Sequence, residues 1–280
     1  MSYIILDLGT ILNESYLARM GLLLKLYSMP FPEGTPENEQ LFNQVKEFDR
    51  IQFLGQQNYN LEEAFPPLPY HQVISAGILI IDNKFRMTFK SKTVGLNIEG
   101  EKDLINYIAE IIKENSNPLL ITFNGYHFDL PLLLLKMTEY NIPVPEVYAN
   151  YSHRFTPNHV DLKERMGLYN QARIGTLNEL SKMFRFPGNR NEEDSGWDIQ
   201  KMYGFGADSL KSIEERVEWN ILNTAMIYLR FSAQSGHTDP KNLEIYLESF
   251  KAQLRREIKN DRSKKYFQEF LDKLEVYSKM

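Results

Sequence analysis

Cysteine is absent from all 280 residues, which excludes disulfides and thiolate metal sites. Long apolar runs are missing too. The longest, Val73 to Ile81 and Leu130 to Leu135, fall far short of the ~20 residues needed to cross a bilayer. No basic stretch leads the apolar run Met1 to Leu12, which itself contains Asp7, so a secretory leader is not expected. A cytoplasmic protein without membrane association is the expectation. Histidine is scarce: His71, His127, His153, His159 and His237 show no metal-pair spacing and read as turn or surface residues. Positive charge is not in excess either, since the net charge is −5.

The basic residues are unevenly spread. Residues 251–265 hold Lys251, Arg255, Arg256, Lys259, Arg262, Lys264 and Lys265 against Glu257 and Asp261, a local +5 that leaves −10 elsewhere. A polyanion would find one basic surface there. A solvated helix face with mixed charge explains the same run.

With 42% hydrophobic and 25% charged residues, the chain can bury a full core, as one domain or one with appendages. Tyr3 to Leu8 alternates apolar and polar residues and reads as a first strand. Gln72 to Ile81 and Lys84 to Lys90 flank Asp82-Asn83 as a hairpin. Between them, residues 13–70 read as a mostly helical insertion closed by Pro66-Pro67-Leu68-Pro69. Apolar residues at 104, 105, 108, 111 and 112 predict an amphipathic helix over Glu101 to Glu114, followed by a strand, Leu119 to Phe123, and a helix from about Leu130. His159 to Leu162 reads as a short strand, Thr176 as a helix cap, and Asp208 to Phe231 as a long helix. Asp239-Pro240 starts another. The expected organisation is an α/β domain over residues 1–238 and a helical C-terminal extension over 239–280.

Three stretches carry chemistry. Asp7 lies in an apolar strand, where an acid is costly unless it meets a cation, a donor or water. An acid two residues later would share its face, but Gly9 stands there. Asn124 and Asp129 bracket a strand-to-helix turn; Asn124-Gly125 is a common turn dipeptide and Asp129 is a good helix cap, yet a capping carboxylate keeps a lone pair for a metal or phosphate. Arg216 and Asn220, four apart, share a helix face. That face offers a fixed positive charge and a neutral oxygen, or is simply a polar surface.

Several blocks together resemble a known family: Phe65 to Val73 (FPPLPYHQV), Thr122 to Gly125 with Phe128 to Pro131, His159 to Leu162, Phe186 to Gly188, and Leu222 to Thr224 with Tyr228 to Phe231. They are similar to the predicted 3′-to-5′ exonuclease family related to the proofreading domain of family B DNA polymerases, in the DEDD group of the ribonuclease H-like superfamily. The resemblance implies a mixed five-stranded sheet flanked by helices, whose acids converge on two divalent ions, Mg2+ or Mn2+, at the 3′ end of a single strand. It places the first motif, Asp-x-Glu-Thr, on Asp7 to Thr10, with Gly9 replacing the glutamate. The second falls intact on Asn124 and Phe128-Asp129. The third, Tyr-x-x-x-Asp, falls on Arg216 to Asn220, so both the water-orienting tyrosine and the last metal-binding aspartate are replaced. Asp161 matches a family acid outside the ligand set.

These substitutions all make the site more positive. Four carboxylates balance two divalent ions, whereas Asp7 and Asp129 supply two negative charges and Arg216 takes one back. An arginine ~4 Å from a divalent ion would be repelled by up to about 8 kcal/mol at an effective dielectric near 20. The expectation is a pseudo-exonuclease with no cofactor, in which Arg216 pairs with Asp7 or Asp129 in place of metal. It would still hold a single-stranded 3′ end through Thr10, Asn124 and stacking on Phe128, or serve as a scaffold for a protein partner or a homodimer through its C-terminal helices. The alternative is an active enzyme that keeps metal on Asp7 and Asp129 and recruits Glu14 or Glu218.

Overall fold

The computed structural model describes residues 2–13, 67–95, 98–115, 117–153, 155–169, 171–191, 199, 202, 208–236 and 238–279. The expected helical insertion therefore lies, apart from its two ends, outside the described residues, as does Glu14. Two compact units are present, Met1–Thr10 with Val73–Met280, and Ile11–Gln72. Of the second, the Asn13 N–H donates to the Tyr70 carbonyl at 2.7 Å, and Leu68–Tyr70 forms one 3-10 turn.

Among the described residues six strands build the sheet: β1 (Tyr3–Leu12), β2 (His71–Ile81), β3 (Met87–Phe89), β4 (Lys92–Thr93), β5 (Leu119–Thr122) and β6 (His159–Asp161). Five run in the order β3-β2-β1-β5-β6, and β4 pairs on β2 beside β3. The sheet thus has one strand more than expected, because the chain after the hairpin continues along β2 for two residues, with Ser75 opposite Thr93. β1, β5 and β6 are parallel. The central strand β5 is buried along its whole length and apolar up to Thr122, as a strand covered on both faces must be. This is the α/β arrangement of a ribonuclease H-like exonuclease fold.

Helices α1 (Ile98–Glu114), α2 (Asp129–Glu139), α3 (Tyr148–Ser152), α4 (Leu162–Met166), α5 (Leu177–Met183), α6 (Asp208–Gln234), α7 (Leu243–Asn260) and α8 (Tyr266–Lys279) flank it. α1 buries the five apolar positions expected from its spacing. It also buries Glu101, whose carboxylate accepts from the Val73 N–H at 2.7 Å and the Tyr140 hydroxyl at 2.5 Å and stands 3.3 Å from Lys136 Nζ. A buried acid is tolerable only with such partners. α5 starts at the anticipated Thr176, which forms a reciprocal capping box with Glu179.

Asp239 caps a 3-10 turn, Pro240–Asn242, that leads into α7. Phe250 and Leu254 of α7 and Phe267, Phe270 and Leu271 of α8 share one apolar core with Trp219 and Leu222 of α6 and with Ile5 and Leu79 of the sheet. Among the described residues no helix is long and apolar enough to cross a membrane.

α6 lies unusually close to the strands, and two glycines allow it. A Cβ on Gly77 would stand 2.7 Å from the Val217 carbonyl oxygen, and one on Gly9 would stand 3.1 Å from Val217 Cγ1. Because the first obstacle is backbone, Gly77→Ala should cost on the order of 1–3 kcal/mol by overpacking. Urea unfolding of that variant measures it; an unchanged midpoint would mean that the helix can retreat freely.

Candidate functional site

Parallel strands end together, and groups placed just past their C-terminal ends converge on one edge. Here Ile5 pairs with Ile121 and Thr122 with Asp161, which brings Asp7 and the turn after β5 to that edge. Asn124 sits at φ 68°, a left-handed conformation that asparagine tolerates. A Cβ on Gly125 would fall 2.3 Å from Thr122 Oγ1, so only glycine lets the turn close this tightly on β5. Asp161 holds the turn. Its carboxylate accepts from the N–H groups of Asn124 and Tyr126, both at 2.9 Å, and from Lys163 at 3.0 Å and Glu164 at 3.3 Å, which begin α4. That is a structural task, and it leaves Asp161 little to offer a ligand.

Asp129 does not cap α2. Phe128 is the N-cap residue and gives no side-chain cap; Asp129 is the first helical residue. Its Oδ1 instead accepts from the Leu8 N–H at 3.0 Å, tying α2 to β1. Phe128 and Thr10 are half-buried nearby in sequence to the two acids. Asp7 receives the Asn220 amide: Nδ2 donates to Oδ2 at 3.0 Å. The direct partner of Asp7 is thus Asn220, one helical turn beyond Arg216, while Arg216 acts on Asp7 through its field.

Burial dominates the electrostatics. It pushes the Asp7 carboxyl up to about 6, against the opposing pull of the Asn220 hydrogen bond and then of Arg216. Asp129 is pushed well above the usual carboxylate range, first by burial and then by the Asp7 charge. Near neutral pH such a pair does not carry two full negative charges.

The place of a second acid on β1 is crowded. A Cβ on Gly9 would meet Ser75 Cβ at 3.0 Å, Val217 Cγ1 at 3.1 Å and Ile199 Cδ1 at 3.3 Å. A side chain there would require these three side chains to give way by a few tenths of an ångström. Glu218, the replacement ligand considered above, turns elsewhere: it is 1% exposed and accepts from Lys264 Nζ at 2.6 and 2.5 Å and from the Tyr266 hydroxyl. Among the described residues no group of three or more histidine and acidic side chains could hold a metal ion. The donors fit a two-metal cage poorly, because one oxygen of Asp7 and one of Asp129 already accept hydrogen bonds and an amide stands where an anionic ligand is needed.

Other expectations change as well. His159 is buried in β6 with its Nε2 2.9 Å from Thr122 Oγ1, and burial pushes its imidazole down to about 3. His71 is buried too; His127 is exposed and stands 2.8 Å from Glu164. Burial follows the strand period, which histidine spacing does not report. The basic run is partly spent: Lys251 pairs with Glu248 at 2.6 Å, Arg255 with Glu275 at 3.2 Å and Lys264 with Glu218. Arg256, Lys259 and Lys265 remain exposed.

Sequence reasoning took Gly9 for a lost ligand and missed its packing role. The signal was available, since Gly77 also interrupts a buried strand and a strand glycine marks close backbone approach. No signal announced the Glu218 cluster, whose members lie far apart in the chain.

A family model described as a predicted 3′-5′ exonuclease related to the exonuclease domain of PolB matches residues 63–274. The match runs through α7 and most of α8 and begins after β1, so Asp7 and Gly9 lie ahead of it. No curated protein matches the chain.

Proposed function

Since the chain belongs to the family of predicted 3′-5′ exonucleases related to the exonuclease domain of PolB, we propose that it is a member whose cleavage centre has been dismantled while its frame still receives a single-stranded 3′ end. One observation carries this reading: the Asn220 amide donates to Asp7 at 3.0 Å. In a working cage that oxygen would face a cation, and an N–H donor there satisfies the carboxylate without one. The crowding around Gly9 supports it, since a second β1 carboxylate would press on the Val217 side chain. Phosphodiester hydrolysis is among the slowest uncatalysed reactions, so a weakened electrostatic site leaves little rate. If Mg2+ or Mn2+ did bind, Asp7 and Asp129 would hold it and the ion would supply charge to the phosphate. Binding without cleavage rests on the turn at Asn124, on Phe128, and on the exposed cations Arg256, Lys259 and Lys265.

The test is metal-dependent shortening of a labelled single strand. Wild type should show no more than Asp7→Ala or Asp129→Ala in Mg2+ or Mn2+. Trimming present in wild type and lost in both variants would restore the active-enzyme reading. Retention of a 3′ end is measured by salt-dependent binding of an oligonucleotide, which should weaken when Arg256, Lys259 and Lys265 are all changed to Gln. Absence of any salt-dependent binding would leave the scaffold role.

A further inference from the structure

A pocket lies away from the acids, between the start of β1, the β2–β3 turn, the end of α6 and the start of α7. It encloses about 240 Å³ and is walled by Tyr3, Phe85, Tyr228 and Tyr246, with Asp82 and Ser232 among its polar edges. Tyr3 and Tyr228 meet ring to ring at 5.8 Å, and Phe85 stacks on Tyr246 at 5.0 Å. The site is held in shape. Phe85 takes a left-handed φ of 61°, a conformation costly for an aromatic residue that persists only where its surroundings impose it. Gln253 of α7 does so: its Nε2 donates to the Phe85 carbonyl at 2.5 Å and its Oε1 accepts from the Met87 N–H at 2.6 Å.

The polar groups are more telling. The hydroxyls of Tyr3, Tyr228 and Tyr246 make no hydrogen bond to any described residue, and none is sealed from solvent, so each is open to a ligand. Other buried tyrosines here all find a partner: Tyr148 donates to Leu130, Tyr151 to Pro118 and Tyr266 to Glu218. Buried tyrosine hydroxyls ordinarily do. The Tyr3 phenol is close enough to interact with those of Tyr228 and Tyr246, and burial pushes Tyr3 and Tyr228 up, so those two remain neutral donors. The lone ionised group is already matched. Asp82 Oδ2 lies 2.6 Å from Arg86 Nη2, and its Oδ1 accepts from the N–H groups of Lys84 and Arg86 at 2.8 and 2.9 Å.

Flat aromatic walls, solvent-accessible neutral hydroxyls with no protein partner and no unbalanced charge select a neutral ring that both stacks and hydrogen-bonds. The volume is below the ~300 Å³ at which drug-sized pockets begin, which suits one ring system rather than a whole nucleotide. We propose that this pocket binds a neutral heteroaromatic ring of the nucleobase class, gripped between the aromatic walls and hydrogen-bonded by the phenols of Tyr3, Tyr228 and Tyr246. The site is separate from the acids, so it stands or falls independently of the exonuclease-type reading. The ring arrives as a free nucleoside or as a base of a strand.

The four common ribonucleosides and the matching tetranucleotides, titrated into the full chain and followed by saturation-transfer NMR, test this. At least one nucleoside should bind saturably. The double variant Tyr3→Phe/Tyr228→Phe keeps both rings and loses both hydroxyls; it should fold normally and bind that nucleoside more weakly by about fivefold or more. Tighter binding of the tetranucleotide, weakened equally by the double variant, identifies a strand as the source. Equal or weaker binding identifies the free nucleoside. No saturable binding of any nucleoside, or binding unchanged in the double variant or matched by toluene, would overturn the proposal.

Discussion

Glu218→Ala should cost about 3–5 kcal/mol of stability, the largest loss expected from any single polar truncation in the α6–α8 core. Glu218 is 1% exposed and receives the Lys264 ammonium at 2.6 and 2.5 Å together with the Tyr266 hydroxyl. Lys264 also lies over the rings of Phe89 and Phe267, at 5.4 and 5.3 Å. Without the acid, that ammonium loses its hydrogen-bonded carboxylate and keeps only the field of Glu214 and Asp261, and the Tyr266 hydroxyl loses its acceptor. The damage falls where α8 meets α6. Faster amide exchange and tryptic cleavage at Lys264 should accompany the lower urea midpoint. A variant within about 1 kcal/mol of wild type would show that the cluster is dispensable. The replacement-ligand reading of Glu218 predicts the opposite pattern, with altered metal affinity and an intact fold.

Asp7→Asn should raise stability at about pH 8 by roughly 1–3 kcal/mol and leave it unchanged at about pH 4. The sign follows from the direction of the shift. Burial lifts the folded-state Asp7 pKa from 3.8 to about 6, so between those values the folded protein holds more protons than the unfolded chain. Stability contributed by the protonated form is therefore full below about pH 4 and lost as pH rises through about 6, a decline of about 3 kcal/mol for the wild type. Asparagine removes that decline, and it removes the charge that pushes Asp129 up. The gain is discounted because the favourable pull of Arg216 is lost as well. Urea titrations of both proteins at several pH values, with and without Mg2+, give the answer. A destabilised variant, or a wild type that Mg2+ stabilises through Asp7, would mean that the site still holds an ion.

Much of the frame was legible because it depends on local pattern. The apolar spacing of α1, the Thr176 cap of α5, the Asp239-Pro240 start before α7 and the β2–β3 hairpin each follow from residues a few positions apart. Among the described residues the expected strands differ from the observed ones chiefly by the two-residue β4, too short to show a period. The core placement of α7 and α8 was not legible, since an amphipathic helix does not name the surface it will cover.

For the site, sequence by itself determined which groups are present: Asp7 and Asp129 as acids, and Gly9, Arg216 and Asn220 at positions that the family resemblance assigns to two acids and a tyrosine. Tertiary structure alone decided their partners. It set Asn220 rather than Arg216 against Asp7, gave Asp129 to the Leu8 N–H, and crowded the space beside Gly9 with Val217. The reason is range: helix and strand periods fix which residues share a face over a few positions, whereas Asp7 and Asn220 stand 213 residues apart, and only the packing of α6 on the sheet sets the last few ångströms that determine a hydrogen bond or a clash.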